Sequence, residues 1–203
     1  MSTDGDCREL NAKLCLVDVA AVGHPMVTIV PRQPSGIYLE STRDEAYGVL
    51  QGEDRPVKDI MIREVATIDA STRLKEAIQI IQDHRCSILI ICLDNEPVLA
   101  VTEYEVALIM MESDNHSPVA TVHEIVKKRE AVRCHEDAIL ADAVRAMLDH
   151  RARHIPVVDA QGNAVGALSL MNALGAMTPQ AADRWLAKMW QMSSKDPSQM
   201  LNR

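Results

Sequence analysis

The segment Arg151–Asn172 reads RARHIPVVDAQGNAVGALSLMN, and it says more about the fold than any other part of the chain. A basic edge, Arg151 and Arg153 with His154, leads into the apolar run Ile155–Val158. Asp159, Gln161 and Gly162 supply turn chemistry, and a second apolar run, Ala164–Leu168, ends at Ser169. Two short apolar runs around a polar turn predict a strand hairpin, with a helix beginning after Ser169. A small cleft is expected where the edge of the first run meets the end of the second. Arg153, His154 and Ser169 would face it. Basic side chains and free helix N–H groups both favour an anion, so the pattern points to a phosphate.

The same plan occurs once earlier in the chain, in weaker form. Val57–Met61 predicts a short opening turn and Val65–Ile68 a strand. Ser71 is placed as an N-cap ahead of Leu74, Ala77, Ile78 and Ile81 at helical spacing. That helix should stop near His84-Arg85. The Ile-rich run Ser87–Leu93 reads as a buried strand, Asp94–Pro97 as a turn and Val98–Val101 as the next strand. Thr102 then caps a helix carrying Val106, Ala107 and Met110. The plan restarts with Val122–Val126 and the strand Ala131–Cys134. Asp137 takes the N-cap place, and Leu140, Ala143, Val144, Met147 and Leu148 form the helix stripe. Ala77 to Ala143, Ile81 to Met147 and Arg85 to Arg151 all share one offset in sequence number, and Thr102 to Ser169 is longer by a single position. One offset held through helix, loop and strand marks an internal repeat. A unit of about 55 residues buries too little surface to stand well alone, so the two should pack together.

The flanks are less regular. Leu10–Val22 is apolar without a clean period and fits helix or strand. Met26–Val30 and Ile37–Leu39 predict two short strands joined as a hairpin through Pro31, Pro34, Ser35 and Gly36. Thr42 would cap a short helix through Leu50, and Gly52–Pro56 reads as a boundary. After the second unit, Thr178-Pro179 is a helix-start signal. Ala182, Trp185, Leu186, Met189 and Trp190 follow on one predicted helical face, which either docks on its own module or covers a second chain. The expected divisions are an extension at 1–56, units at 57–114 and 115–177, and a helix and tail at 178–203.

Composition narrows the function classes. The formal net charge is −8 with no basic cluster, which argues against nucleic acid and against an anionic membrane surface. There is no Phe, so aliphatic residues and Met must fill the core. The five cysteines are odd in number and lack CxxC spacing, which fits reduced thiols and a cytoplasmic location. No run reaches membrane-spanning length, and MSTDGDCREL lacks a signal-peptide pattern. His84-x-Cys86, Cys134-His135 and His150-x3-His154 do not make a four-ligand set, so no metal site is expected. No nucleophile, base and orienting group assemble, so no enzyme activity is expected.

The repeated unit resembles the CBS domain, and the pair resembles a Bateman module. Val57-Lys58-Asp59-Ile60-Met61 matches the family's opening, Ile155-Pro156-Val157-Val158-Asp159 its middle, and Val165-Gly166-Ala167-Leu168-Ser169 its ending. The resemblance implies an α+β fold of two β-α-β-β-α units packed as a pseudo-twofold pair with two clefts. It also implies regulatory binding of AMP, ADP, ATP or another adenosyl compound, with no required cofactor. Ser or Thr would meet phosphate or ribose, an Asp the ribose hydroxyls, and backbone of the first strand the adenine. The matching positions in the second unit are Arg133, Cys134, Arg153, His154, Ile155, Pro156, Gly166, Ser169 and Asn172. In the first unit they are Thr67, Thr102 and Glu105.

Three departures matter. The ribose carboxylate is Glu105 in the first unit and Asn172 in the second; Asn172 has lost the charge that makes such bonds strong. The glycine before the ending is Leu99 in the first unit and Gly166 in the second, and the family's proline is Ile90 in the first. The second cleft is therefore the preferred ligand site. The bland alternatives are a solvated Arg153, a loop His154, plain N-caps at Thr102 and Ser169, and ordinary strand residues at Arg133 and Cys134. The expected role is a regulatory adenosyl-binding module, homodimeric and acting on a partner protein. The alternative is a ligand-free interaction module with degenerate clefts.

Overall fold

A computed structural model of the chain describes residues 14–18, 25–31, 53–112, 121–127 and 129–194. The first unit comprises β3 (Val65–Asp69), α1 (Leu74–His84), β4 (Ile88–Leu93), β5 (Glu96–Thr102) and α2 (Glu103–Glu112). The second comprises β6 (Val132–His135), α4 (Leu140–Asp149), β7 (His154–Val158), β8 (Ala164–Ser169) and α5 (Leu170–Gly175). Short turns, Val57–Asp59 and α3 (His123–Val126), precede the two units. A hairpin of β1 (Leu14–Asp18) and β2 (Pro25–Ile29) comes first, and α6 (Pro179–Ser194) last. This is the expected α+β pair.

The repeat is visible in backbone geometry. Helix α1 ends at Arg85 (φ 51°), and α4 is followed by Arg151 (φ 53°), both left-handed. Both hairpins carry a register shift at equivalent places, Ile91/Cys92 and Val157/Val158. The turns differ. Asp94 and Asn95 both have positive φ, as a tight two-residue hairpin turn demands. In the second unit Gly162 supplies the positive φ (86°), and the Asp159 carboxylate accepts N–H bonds from Gln161 and Asn163 at 2.9 Å each.

Each helix buries its apolar stripe on its own sheet. Leu74, Ala77 and Ile81 serve α1, while Leu140, Ala143, Val144 and Met147 serve α4. Burying a Leu or Ile side chain contributes about 1.5–3 kcal/mol. The opening turns, however, cross over. Val57 and Met61 lie in the core of the second unit; Val122, Ile125 and Val126 lie in that of the first. The two sheets then pack face to face, β5 over β6 and β7, and β8 over β3 and β4, with Ile88, Ala100 and Ala167 between them.

Four expectations need correction. Ser71 and Asp137 are not N-caps; the cap positions are Arg73 and Ile139. At α4 the orphan N–H groups of Leu140 and Ala141 bond instead to the carbonyls of Arg55 and Glu53, each at 2.9 Å. Ser71 turns back onto the Asp69 carboxylate, and Asp137 pairs with Lys58. The second correction concerns the N-terminal hairpin. The partner of Pro25–Ile29 is Leu14–Asp18, and its other edge runs parallel to β6, pairing Thr28 with Arg133. Both edges of β2 are thus occupied; residues 37–39, and the helix expected at 42–50, lie outside the described residues.

The third concerns the last helix. Its inward line is Ala181, Trp185 and Met192, and Trp185 is 5% exposed in the core of its own module, whereas Trp190 is 77% exposed. Docking therefore claims one tryptophan and not the other. Glu53, fully buried, fastens this helix by accepting bonds from Arg184 and from Trp185 Nε1 at 2.8 Å. The fourth concerns α5, which has only six residues. So short a helix sums few peptide dipoles, and the anion-binding force expected of its N-terminus is correspondingly small. Among the described residues, no helix is long and apolar enough to cross a membrane.

Candidate functional site

In the first unit, Thr102 and Glu105 satisfy one another. The Glu105 carboxylate accepts from the Thr102 N–H at 2.9 Å and the Thr102 hydroxyl at 3.0 Å, and the hydroxyl accepts from the Glu105 N–H at 3.4 Å. This is a reciprocal capping box on α2. The other carboxylate oxygen takes Arg129 Nη1 at 2.7 Å. Burial alone would raise the Glu105 carboxyl, but the Thr102 N–H and the Arg129 charge outweigh it and hold the group below the usual range. Both oxygens are committed within the protein.

His154, from the second unit, reaches the same cluster. Its Nδ1 lies 3.9 Å from Glu105 Oε2, too far for a hydrogen bond, and is buried without a partner. Burial, joined by the charges of Arg153 and Arg129, holds the imidazole below its usual range against the pull of Glu105. The packing of β5 over β7 explains the meeting: it brings the end of β5 over the start of β7. Sequence reasoning assigned these residues to separate clefts; the fold joins Thr102, Glu105 and His154 in one locus.

The Ser169 side is different. In register, Ser169 faces His154 across the β7–β8 hairpin. It is 7% exposed and occupies the N-cap position of α5, yet its hydroxyl makes no capping bond. The carbonyl of Arg153 takes the Leu170 N–H at 2.9 Å, which fixes Arg153 beside Ser169. Arg153 and Asn172 are exposed. Ile155 and Pro156 are buried strand residues. Gly166 is needed for packing: a Cβ there would stand 2.6 Å from the Ile62 carbonyl oxygen, because Ile62 bridges Ala167 on the next residue. Its role is thus to admit the opening segment, and Leu99, its counterpart, simply fills the first core.

The remaining predicted residues lie elsewhere. Arg133 is buried and committed, donating to Thr28 Oγ1 at 3.1 Å and pairing with Glu96. Glu96 begins β5 and Thr102 ends it, so this pair sits about 20 Å along the strand from Thr102. Cys134 is wholly buried in the second core, and burial pushes its thiol far up, leaving it inert. Thr67 is exposed on β3, at the edge of its sheet. A hollow of about 330 Å³ beside Asp69, Ser71, Asp94 and His123 lies at the opposite end of β3 and β4 from Thr102 and includes none of the predicted residues. Among the described residues, no group of three His, Cys, Asp or Glu side chains converges as a metal site.

This geometry can be set beside known proteins. The family model described as the CBS domain matches twice, over residues 57–112 and 122–178. The chain belongs to the CBS-domain family. The CBS domain-containing protein YhcV of Bacillus subtilis is 28% identical over 129 residues, 62% of this chain and 89% of that protein. The CBS domain protein TA0289 of Thermoplasma acidophilum, described as of unknown function, superposes with a TM-score of 0.52 at 17% identity, covering 66% of this chain and 75% of its own. The structure of CBSX2 in complex with AMP gives a TM-score of 0.44 at 22% identity, covering 60% and 94% respectively.

Within the CBS pair, sequence reasoning missed Arg129. The signal was available. Thr102-x-x-Glu105 has capping-box spacing, which marks Glu105 as a carboxylate fixed at a helix start and open to a basic partner. Glu53 and Glu96 had no such signal; only the packing of distant segments reveals their partners.

Proposed function

We propose that this CBS pair is a regulatory module that binds an adenine nucleotide or related adenosyl compound in the cleft at Ser169. The ligand class is the one the family resemblance implies, and the role is binding rather than catalysis. One observation carries the choice of cleft: Glu105 is closed by Thr102 and Arg129, whereas the buried Ser169 hydroxyl makes no capping bond. Ser169 and Arg153 are the groups assigned to the ligand, with His154, which pairs with Ser169 in register and also reaches the Glu105 cluster, between the two halves. Because the two sheets pack face to face and the opening turns cross between units, a ligand favouring one arrangement of the pair shifts the whole module toward it. The regulated partner is a protein. The module acts in the cytoplasm as a homodimer, for which Tyr104 and Met171, 67% and 72% exposed at repeat-related positions of α2 and α5, offer an apolar face.

Isothermal titration with AMP, ADP, ATP, S-adenosylmethionine and NAD tests the reading. A ligand at a hundred times its Kd stabilises by about 2.7 kcal/mol, a readily seen thermal shift. Absence of both heat and shift with every compound at millimolar concentration would sink it. A second reading, a ligand-free interaction module, is favoured by the internal closure of Glu105 and by the covering of the β6 edge by β2. Recovery of a tight protein partner with no nucleotide added would support it.

A further inference from the structure

Among the described residues, one buried side-chain nitrogen or oxygen has no hydrogen-bond partner: His154 Nδ1. It lies at the junction of the two units. The backbone of His154 stands opposite Ser169 at the open end of the β7–β8 hairpin, while its ring reaches the capping box of α2. Glu105 Oε2 is 3.9 Å away and already accepts from the Thr102 N–H and hydroxyl at 2.9 and 3.0 Å. Buried polar atoms are nearly always bonded, and this one stops about 1 Å short of a charged hydrogen bond to a carboxylate.

The charged groups that face the ring come from three places. Helix α2 brings Glu105, β7 itself brings Arg153, and the segment before β6 brings Arg129. Strands β5 and β8 bring Thr102 and Ser169, which carry no charge. Burial is the largest influence and holds the ring below its usual range; Glu105 opposes it, and the two arginines add to it. At neutral pH the imidazole is therefore uncharged. The Glu105 carboxyl, held below its ordinary 4.5, keeps its charge as pH falls from 6.5 toward that value. A proton arriving on the ring in that interval meets an ionised partner.

We infer that His154 is a proton-operated latch between the two units: once charged, its Nδ1–H donates to Glu105 Oε2 and ties the start of β7 to the start of α2. Glu105 Oε2 is then shared among three donors, so the latch draws on the capping box of α2 as it closes. Ser169, paired with His154 across the hairpin, is carried with it. Folding still favours the neutral ring, so the latch offsets only part of the stability lost in acid. Acid thus engages a contact between the units that is open at neutral pH. The latch needs no ligand and stands independently of the adenosyl reading.

The test is a double-mutant cycle between His154→Gln and Glu105→Gln in the full chain, read as folding equilibrium constants from urea unfolding at about pH 5 and about pH 8. The coupling should be about tenfold at the lower pH, as for a charge-assisted bond, and within about twofold of none at the higher. The His154 ring titration, followed by NMR, should move to lower pH in Glu105→Gln and to higher pH in Arg129→Gln. In the unaltered protein the Thr102 amide resonance should shift at the midpoint of the His154 ring, because its acceptor is then shared. Equal coupling at both pH values, or a ring midpoint unmoved by Glu105→Gln, overturns the latch. If a variant fails to fold, the unaltered protein decides: a Thr102 amide that titrates with the ring supports the latch, and one that does not overturns it.

Discussion

Truncating Glu53 should loosen the last helix from the second CBS unit. The carboxylate is fully buried, accepts from Arg184 and from Trp185 Nε1, and belongs to a residue whose carbonyl also caps α4. Glu53→Ala leaves the Trp185 N–H without its acceptor and opens a small void, an expected loss of about 3 kcal/mol. Glu53→Gln keeps an acceptor and the shape but not the charge, and should lose about 1–2 kcal/mol. Arg184 is 45% exposed, so its coupling to Glu53 is less than that of a wholly buried pair, about 1–2 kcal/mol in a double-mutant cycle with Arg184→Gln. The Lys58–Asp137 pair, 46% and 48% exposed, is the internal control and should give no resolvable coupling. Urea unfolding supplies the free energies. Trp185 emission, followed in a Trp190→Phe background, should shift red in Glu53→Ala as the indole is released. If the Glu53–Arg184 coupling proves no larger than that of Lys58–Asp137, burial is not what gives the pair its weight and the account of α6 docking fails.

Gly166→Ala should destabilise by about 1–3 kcal/mol in the same urea assay, because the new Cβ meets the Ile62 carbonyl, a backbone atom held in a bridge, rather than a side chain that can turn away. Thr102→Val should lose about 1 kcal/mol through its capping box, and Ser71→Ala less, since Ser71 caps no helix; equal losses would contradict the assignment of caps. Glu105 has a carboxyl held below its ordinary 4.5, so its stabilising effect is fully present above that value and is lost as pH falls through the lower folded-state value. Glu105→Gln should therefore flatten the acid limb of the urea midpoint against pH, and an unchanged limb would refute the Arg129 pairing. His154, held below 6.5, acts with the same sign, and His154→Gln should flatten the fall that begins below that pH.

Some of the site was legible before any packing was known, and some was not. The period of the repeat exposed both units, the helix ends at Arg85 and Arg151 and the two hairpins, because each depends on local pattern and turn chemistry; the left-handed backbone at those ends came from the structure. Thr102 was read correctly as a cap because its cap bonds close within a single helical turn. Ser71 and Asp137 had the same chemistry and failed. Their helix ends lie under segments delivered from elsewhere, the Glu53–Arg55 carbonyls in one case and the Thr121 bridge in the other. The β2 pairing was equally hidden, since parallel strands so far apart in the chain carry no local signal of their register.

Residue order alone carries the CBS fold and the duplication, because both are written in spacing and residue type. Which of the family-matched residues remain available is settled by folding in three dimensions. Glu105 and Arg129 are well separated in the chain, and His154 lies in the other unit; folding pairs Glu105 with Arg129, closing one half of the pair, and sheet-on-sheet packing sets His154 beside them. The same packing buries Ser169 at the start of α5 without a capping bond. Electrostatic pairing acts over a few ångströms in space whatever the separation in sequence, so the difference between the two halves appears only when the chain is folded.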